Sequence, residues 1–221
     1  MDKPPLNALD AIAQRRSIRA YKDIMLEWDM VAKIVEAAKT APSSGNLQNW
    51  KFILVTDAEL RKDIAEACAQ QYWMATAPVH ICTTVIWKRA QQYYGIRGER
   101  LYSIQNASAA MENMLIAATS LGIGSCWVSA FDDTQLRRVL SIPDYATPMG
   151  VVTLGYADEK PPKPTQFTIE HVSSMEVFGN RIRDLDIVQG YFGNWLQKSL
   201  SRTAGNIRHK IDKMKKEEEK E

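Results

Sequence analysis

Apolar positions along the chain fall into two periods. Between residues 27 and 39, Val31, Ile34, Val35 and Ala38 recur at the 3.6-residue spacing of a helix that buries one face. The same period runs through 104–121, where Ala107, Ala110, Met111, Met114, Leu115, Ala118 and Leu121 share a face rich in small residues, suited to close packing against another helix. Gly122 follows at the position a helix C-terminus favours. Shorter helices are predicted at 7–15, with Leu9, Ile12 and Ala13 on one face and Asn7 as N-cap, at 58–70 behind Asp57, and at 133–140. Pro42 stops the helix over 27–39. Short apolar runs, "KFILVT" (51–56), "VHICTTVI" (79–86), "GSCWVSAF" (124–131) and "GVVTLGYA" (150–157), read as strands. Helices and strands alternate at irregular spacing around one long helix, so the expected class is α+β, arranged as a three-layer α/β/α sandwich.

Composition narrows the picture. The chain has 221 residues, 45% of them hydrophobic, enough for one sizeable core plus a tail. The expected division is a core domain over 1–170 and a C-terminal extension over 171–221. That extension carries Val177, Phe178, Ile182, Leu185, Ile187, Tyr191, Phe192, Trp195 and Leu196 before a charged end, "RHKIDKMKKEEEKE". So many apolar side chains must pack on their own core or on a partner subunit, whereas the charged end reads as a solvated helix or tail. Lys plus Arg is 28 and Asp plus Glu is 26, a net charge of +2, which argues against a general nucleic-acid binder. The three cysteines, Cys68, Cys82 and Cys126, are widely spaced and odd in number, as reduced thiols would be. "MDKPPLNALD" lacks the apolar stretch of a signal peptide, and no window reaches the roughly 18 apolar residues of a membrane span; the cytoplasm is the expected location and no membrane partner is expected.

Several chemistries fall away. No phosphate-loop motif is present, and "GIGSCW" lacks the third glycine of a dinucleotide fingerprint and follows a helix rather than a strand. His80, His171 and His209 have no metal-ligand spacing, so no metal is expected, and they are too few for a nucleophile–histidine triad. Three stretches remain. "QRRSIRAY" (14–21) concentrates Arg15, Arg16 and Arg19 around Ser17 where a helix ends: either cations complementing the helix C-terminus, or a clamp of guanidinium forks and a hydroxyl for a phosphate. "APSSGNLQNWKF" (41–52) carries more polar side chains than a turn needs, and Ser43, Ser44, Asn46 and Gln48 are available to a polar ring or a polyol chain. Its Trp50 is expected to anchor the strand start in the core. "WVSAFDD" (127–133) ends a strand where backbone N–H groups face a cleft.

In this order and at these distances, "RRSIRAY", "APSSGNLQNWKFILV", the long Ala-rich helix running into "LGIGSCWVSAFD", and "VVTLGYADEKPPKP" together resemble the FMN-dependent nitroreductase family from about residue 8 to 165. The resemblance implies a central mixed or antiparallel sheet, a homodimer with the C-terminal segment exchanged between subunits, and one FMN in each of two interface sites. It implies ping-pong transfer from NAD(P)H through FMN to a small electron-poor acceptor such as a nitroaromatic, quinone or enone. By position it implies that Arg15, Ser17 and Arg19 hold the flavin phosphate and ribityl chain, with Arg16 a variable neighbour. Pro42, Ser43 and Ser44, with Asn46 and Gln48 in the same signature, reach the flavin from the other subunit. The amides of Ser129 and Ala130 face its N5/O4 edge, leaving no side chain assigned as the catalytic group, and Lys163 lies near the phosphate. Substrate selection falls to a segment over 88–103, whose Tyr93, Tyr94, Arg97, Arg100 and Tyr102 form either an aromatic, cationic lid or a solvated excursion. The chain departs from the family at Asn49, where proline is usual, at Ser129-Ala130 in place of Gly-Gly, and at Thr165, where a second basic residue is usual. Two other readings stay open: a flavin-binding sensor or docking protein without turnover, and a reductive dehalogenase-type flavoenzyme.

Overall fold

In a computed structural model the described residues are 5–180. The chain divides into two compact units, Met1–Lys163 and Pro164–Glu221. The first contains helices α1 (Ala8–Gln14), α2 (Trp28–Lys39), α3 (Ala58–Ala67), α4 (Trp87–Arg97), α5 (Ser103–Ser120) and α6 (Asp133–Val139), and strands β1 (Trp50–Val55), β2 (Val79–Val85), β3 (Gly124–Val128) and β4 (Thr147–Gly155). The described part of the second unit holds one short helix, α7 (Ile169–Val172).

The four strands form one sheet in the order β1-β2-β4-β3, and every pairing is antiparallel. Side chains alternate across it. Trp50, Val79, Ile81, Val152 and Leu154 project to one face and pack with Val31, Ile34 and Ala38 of α2 and Ala110, Met111, Met114, Leu115 and Ala118 of α5. Val55, Cys82, Cys126, Val128 and Val151 project to the other, against Ile64 of α3 and Leu136 of α6. The result is the three-layer sandwich the periodicity predicts, with α5 as its long helix. Trp50 is buried and stacks on Phe52 at 6.3 Å, anchoring the start of β1 as expected.

The capping expectations hold locally. Asn7, Asp57 and Asp132 each accept a hydrogen bond from a backbone N–H in the first turn of the helix they precede. On α1 only Ala11 is buried, while Leu9 and Ile12 are 79% and 53% exposed. The period identified an apolar face, and it stands exposed among the described residues. Beyond α7, Val177 and Phe178 are exposed; the other apolar residues of the extension lie outside the described residues.

Candidate functional site

After α1 the chain extends along the edge of the sheet. Ser17 forms a parallel bridge with Ser125 of β3, and the Ile18 N–H donates to the Ser125 carbonyl at 2.9 Å. Tyr21, bridged to Ala157, is buried; its hydroxyl lies 2.6 Å from the Ile18 carbonyl and 2.7 Å from Thr153 Oγ1, and burial pushes its pKa well up. These bonds bolt residues 17–21 to β3 and β4.

Arg15, Ser17 and Arg19 lie along this stretch of the edge, close enough to act on the buried thiol of Cys126. Burial raises the pKa of this thiol, while Arg19, Ser17 and Arg15, in that order, pull it back. The guanidiniums have little compensation. Arg15 reaches Glu112 of α5 only at 3.9 Å, and Arg19 has no carboxylate within salt-bridge distance among the described residues, its nearest aromatic partner being Trp73 at 5.9 Å. Glu159 binds the backbone N–H groups of Arg19 and Ala20 instead. Arg16 is employed differently: its guanidinium donates to the carbonyls of Ala13 at 3.1 Å and Arg15 at 2.6 Å, closing the end of α1. It also lines a groove of about 440 Å³ with Gln14, Thr119 and Lys160. Of the two readings of the arginine cluster, closure of the helix end describes Arg16.

At the other end of β3, Ser129 and Ala130 are exposed. Asp132 fixes the exit of this stretch by capping α6 and donating its own N–H to the Ala67 carbonyl at 2.8 Å. The Ser129 and Ala130 N–H groups make no hydrogen bond among the described residues, so both remain available as donors. Four residues of strand separate Ser129 from Ser125, about 13 Å at the usual rise. The strand edge therefore carries cations at its start and free amides past its end. This donor set fits a molecule with an anionic terminus and a hydrogen-bonding ring edge.

The loop after α2 uses most of its polar groups on itself. Ser43 Oγ accepts from the Gln48 N–H at 3.0 Å, and Asn46 Oδ1 accepts from Gln48 Nε2 at 2.9 Å. These bonds support three left-handed residues, Gly45 (φ +55°), Asn46 (φ +56°) and Gln48 (φ +44°). Pro42 is exposed. Among the described residues no hydrogen bond joins this loop to Arg15, Ser17 or Arg19. Lys163 is exposed at the end of the first unit.

Residues 87–102 are helical rather than an irregular excursion. α4 bends at Gly95, whose φ of +59° and ψ of −148° suit only glycine, and passes through a π-turn (Gly98–Tyr102) into α5. Tyr102 is the hub: Tyr94 meets it edge-on at 5.2 Å, and Arg97 both donates to its hydroxyl at 3.1 Å and lies over its ring at 5.6 Å. Tyr93 and Arg100 face solvent. The Tyr94 hydroxyl sits where a Cβ on Gly45 would be, and a cavity of about 550 Å³ opens between Gly45, Asn46, Leu47 and Arg89, Gln92, Tyr93 and Tyr94.

Residue-by-residue reasoning missed Asn49, Ser103 and Asn106, which form a buried polar junction beneath this loop. A signal was present. Stepping back four from Ala110 and Ala107 along the apolar face of α5 reaches Asn106 and Ser103, polar residues where burial is expected. The remaining chemistry is inert: Cys68 and Cys82 are buried thiols pushed up to about 12, and His80 is held neutral in the core, its pKa lowered by burial to about 4 while its Nε2 meets the Met74 carbonyl at 2.8 Å. No helix among the described residues is long and apolar enough to cross a membrane.

The nitroreductase family model matches residues 12–156. An Archaeoglobus fulgidus relative, provisionally named NADH dehydrogenase/NAD(P)H nitroreductase, is 38% identical over 157 residues, covering 69% of this chain and 87% of the relative. An FMN reductase of Bacillus subtilis that uses NAD(P)H is 26% identical over 210 residues, covering 89% of this chain and 84% of the reductase. Among solved structures, the hypothetical oxidoreductase YcnD from Bacillus subtilis superposes with a TM-score of 0.73 at 26% identity, covering 90% of this chain and 85% of that one. With the sandwich, the cationic strand edge and the matched span in agreement, the chain belongs to the nitroreductase family of oxidoreductases.

Proposed function

We propose that this chain is an FMN-dependent NAD(P)H oxidoreductase that acts as a homodimer, passing electrons in a ping-pong sequence to a small electron-poor acceptor such as a nitroaromatic, quinone or enone. The observation that carries the reading is the β3 edge, with Arg15, Ser17 and Arg19 at its start and the free N–H groups of Ser129 and Ala130 past its end. FMN, when bound, supplies the hydride-accepting and hydride-donating chemistry. Arg15 and Arg19 offer guanidinium forks to its phosphate, Ser17 adds a hydroxyl, and Arg16 stands at the rim while it closes α1. Lys163 adds a further cation near that terminus. The Ser129 and Ala130 amides donate to the N5/O4 edge and so influence where charge settles on reduction. Pro42, Ser43, Ser44, Asn46 and Gln48 form the wall lent to the partner's site, in keeping with the lack of hydrogen bonds between the loop and the arginines among the described residues. Tyr93, Tyr94, Arg97, Arg100 and Tyr102 cover the acceptor side. The uncovered apolar residues Leu9 and Ile12 of α1, with Trp28 at 64% exposure, support the dimer.

The test is spectroscopic. The purified protein is expected to bind FMN and to lose the flavin band near ~450 nm when NADH or NADPH is added without oxygen. Changing Arg15 and Arg19 together to glutamine is expected to weaken FMN binding by about 100-fold, two charge-assisted contacts being lost. Protein that takes up no FMN would sink the proposal. A flavin bleached by dithionite but by neither nicotinamide would favour the sensor without turnover.

A further inference from the structure

Beneath the loop 43–48, four parts of the fold meet around one side chain. Asn49 is fully buried, as is Ser103, and Asn106 is 3% exposed. Asn49 Oδ1 accepts from Asn106 Nδ2 at 2.8 Å, and Asn106 Oδ1 accepts from the backbone N–H of Ser44 at 2.9 Å and its hydroxyl at 3.2 Å. The other end of the Asn49 amide faces the opposite way in connectivity. Its Nδ2 donates to Ser103 Oγ at 3.0 Å and to the carbonyl of Ile86, the N-cap of α4, at 3.4 Å. Ser103 in turn donates to the Gly98 carbonyl at 2.9 Å, in the π-turn.

We propose that Asn49 is a positioning residue that couples the loop 43–48 to the segment 87–102, so that ordering one orders the other and sets the fit of the acceptor. The proposal rests on the assignment of the loop to the flavin wall and of 87–102 to the acceptor lid. The division of labour within the amide carries it: the carbonyl oxygen serves the loop through Asn106, and the amino group serves the lid through Ser103 and Ile86. Each side-chain nitrogen and oxygen of Asn49, Ser103 and Asn106 has at least one protein partner. All three residues are buried, so a shift on one side strands a buried polar atom on the other. The loop needs such support, since Asn46 and Gln48 hold left-handed conformations that the surroundings must enforce. A second contact links the same two parts, the Tyr94 hydroxyl against Gly45. A proline at residue 49 would keep the turn but supply no amide, leaving loop and lid without this tie.

Hydrogen–deuterium exchange on the full-length protein with and without FMN tests the coupling. In the parent, FMN is expected to slow exchange in peptides covering 43–48 and also in those covering 96–102. Ser103→Ala cuts the lid side alone. It is expected to keep FMN affinity within about twofold and the loop protection intact, to lose the protection of 96–102, and to raise the acceptor KM about three- to tenfold with the rate of flavin reduction by NAD(P)H unchanged. Ser103→Thr, which retains the hydroxyl, is expected to restore the lid protection. Asn49→Asp, which keeps the shape but replaces the amino donor, is expected to uncouple the lid in the same way. The proposal is overturned if FMN protects the loop of the parent without altering 96–102, or if both Ser103→Ala and Asn49→Asp retain parental lid protection and acceptor KM. Protein that shows no flavin absorption at all overturns the functional assignment beneath it, an outcome read before any exchange is measured.

Discussion

At Gly45 two demands coincide. Its φ of +55° disfavours any side chain, and the Tyr94 hydroxyl occupies the place of a Cβ. Gly45→Ala is expected to lower stability by about 1–3 kcal/mol in a denaturant titration. Adding Tyr94→Phe is expected to recover part of that loss, because removing the hydroxyl relieves the collision and leaves only backbone strain. His80 makes a second residue-scale prediction. Burial lowers its pKa from about 6.5 to about 4, so the fold favours the neutral ring. The resulting stability is fully present above pH 6.5 and is lost as pH falls toward 4, by up to about 3 kcal/mol. Denaturant midpoints measured across that range are expected to fall less steeply for His80→Gln than for the parent. At this scale the sequence was only partly legible. Arg15, Arg16 and Arg19 look alike in a motif, yet the Arg16 guanidinium is spent on the carbonyls that end α1, while those of Arg15 and Arg19 make no hydrogen bond among the described residues, a difference set by side-chain direction after the helix ends.

Among the elements, α4 and the π-turn behave as one hinged unit. The bend lies at Gly95, and the far end is pinned through Ser103 to Gly98. Gly95→Ala forces a Cβ into a backbone region that L-residues avoid, although the surrounding space is open. Limited proteolysis is expected to cut 93–102 faster in this variant, with the sandwich core unaffected. The helices and strands of the core were readable from periodicity, because one buried face imposes 3.6 or alternating spacing on any sequence that fills it. The segment 87–102 was not. Its composition left a lid and a solvated excursion equally open, whereas Gly95 redirects a helix that continues on both sides, supported by Tyr94, Arg97 and Tyr102 packing on one another. The loop's surplus of polar side chains was visible in the sequence. That most of them satisfy each other became visible only when Ser43, Asn46 and Gln48 were seen to close on themselves.

For the whole molecule, the apolar face of α1 and the exposed Val177 and Phe178 of the extension pose the same physical problem: apolar surface left in water. If a partner subunit covers them, removing the chain from residue 175 onward is expected to yield monomers or aggregates with weakened FMN binding, measured by light scattering coupled to size exclusion and by flavin absorbance. An unchanged dimer that keeps its flavin would show that the extension has another use. What the sequence alone determined is what depends on short-range pattern: the helices and strands, their caps, the layered class, and the ordered motifs that mark the nitroreductase family. What only the tertiary structure decided is what depends on residues distant in the chain meeting. The bridging of Ser17 to Ser125 and the meeting of Asn49 with Ser103 and Asn106 are of this kind. Periodicity marks a position as buried, but which groups meet there is set by the packing of α5 and the path of the chain along the sheet edge, and the need to satisfy every buried polar atom then holds those partners together.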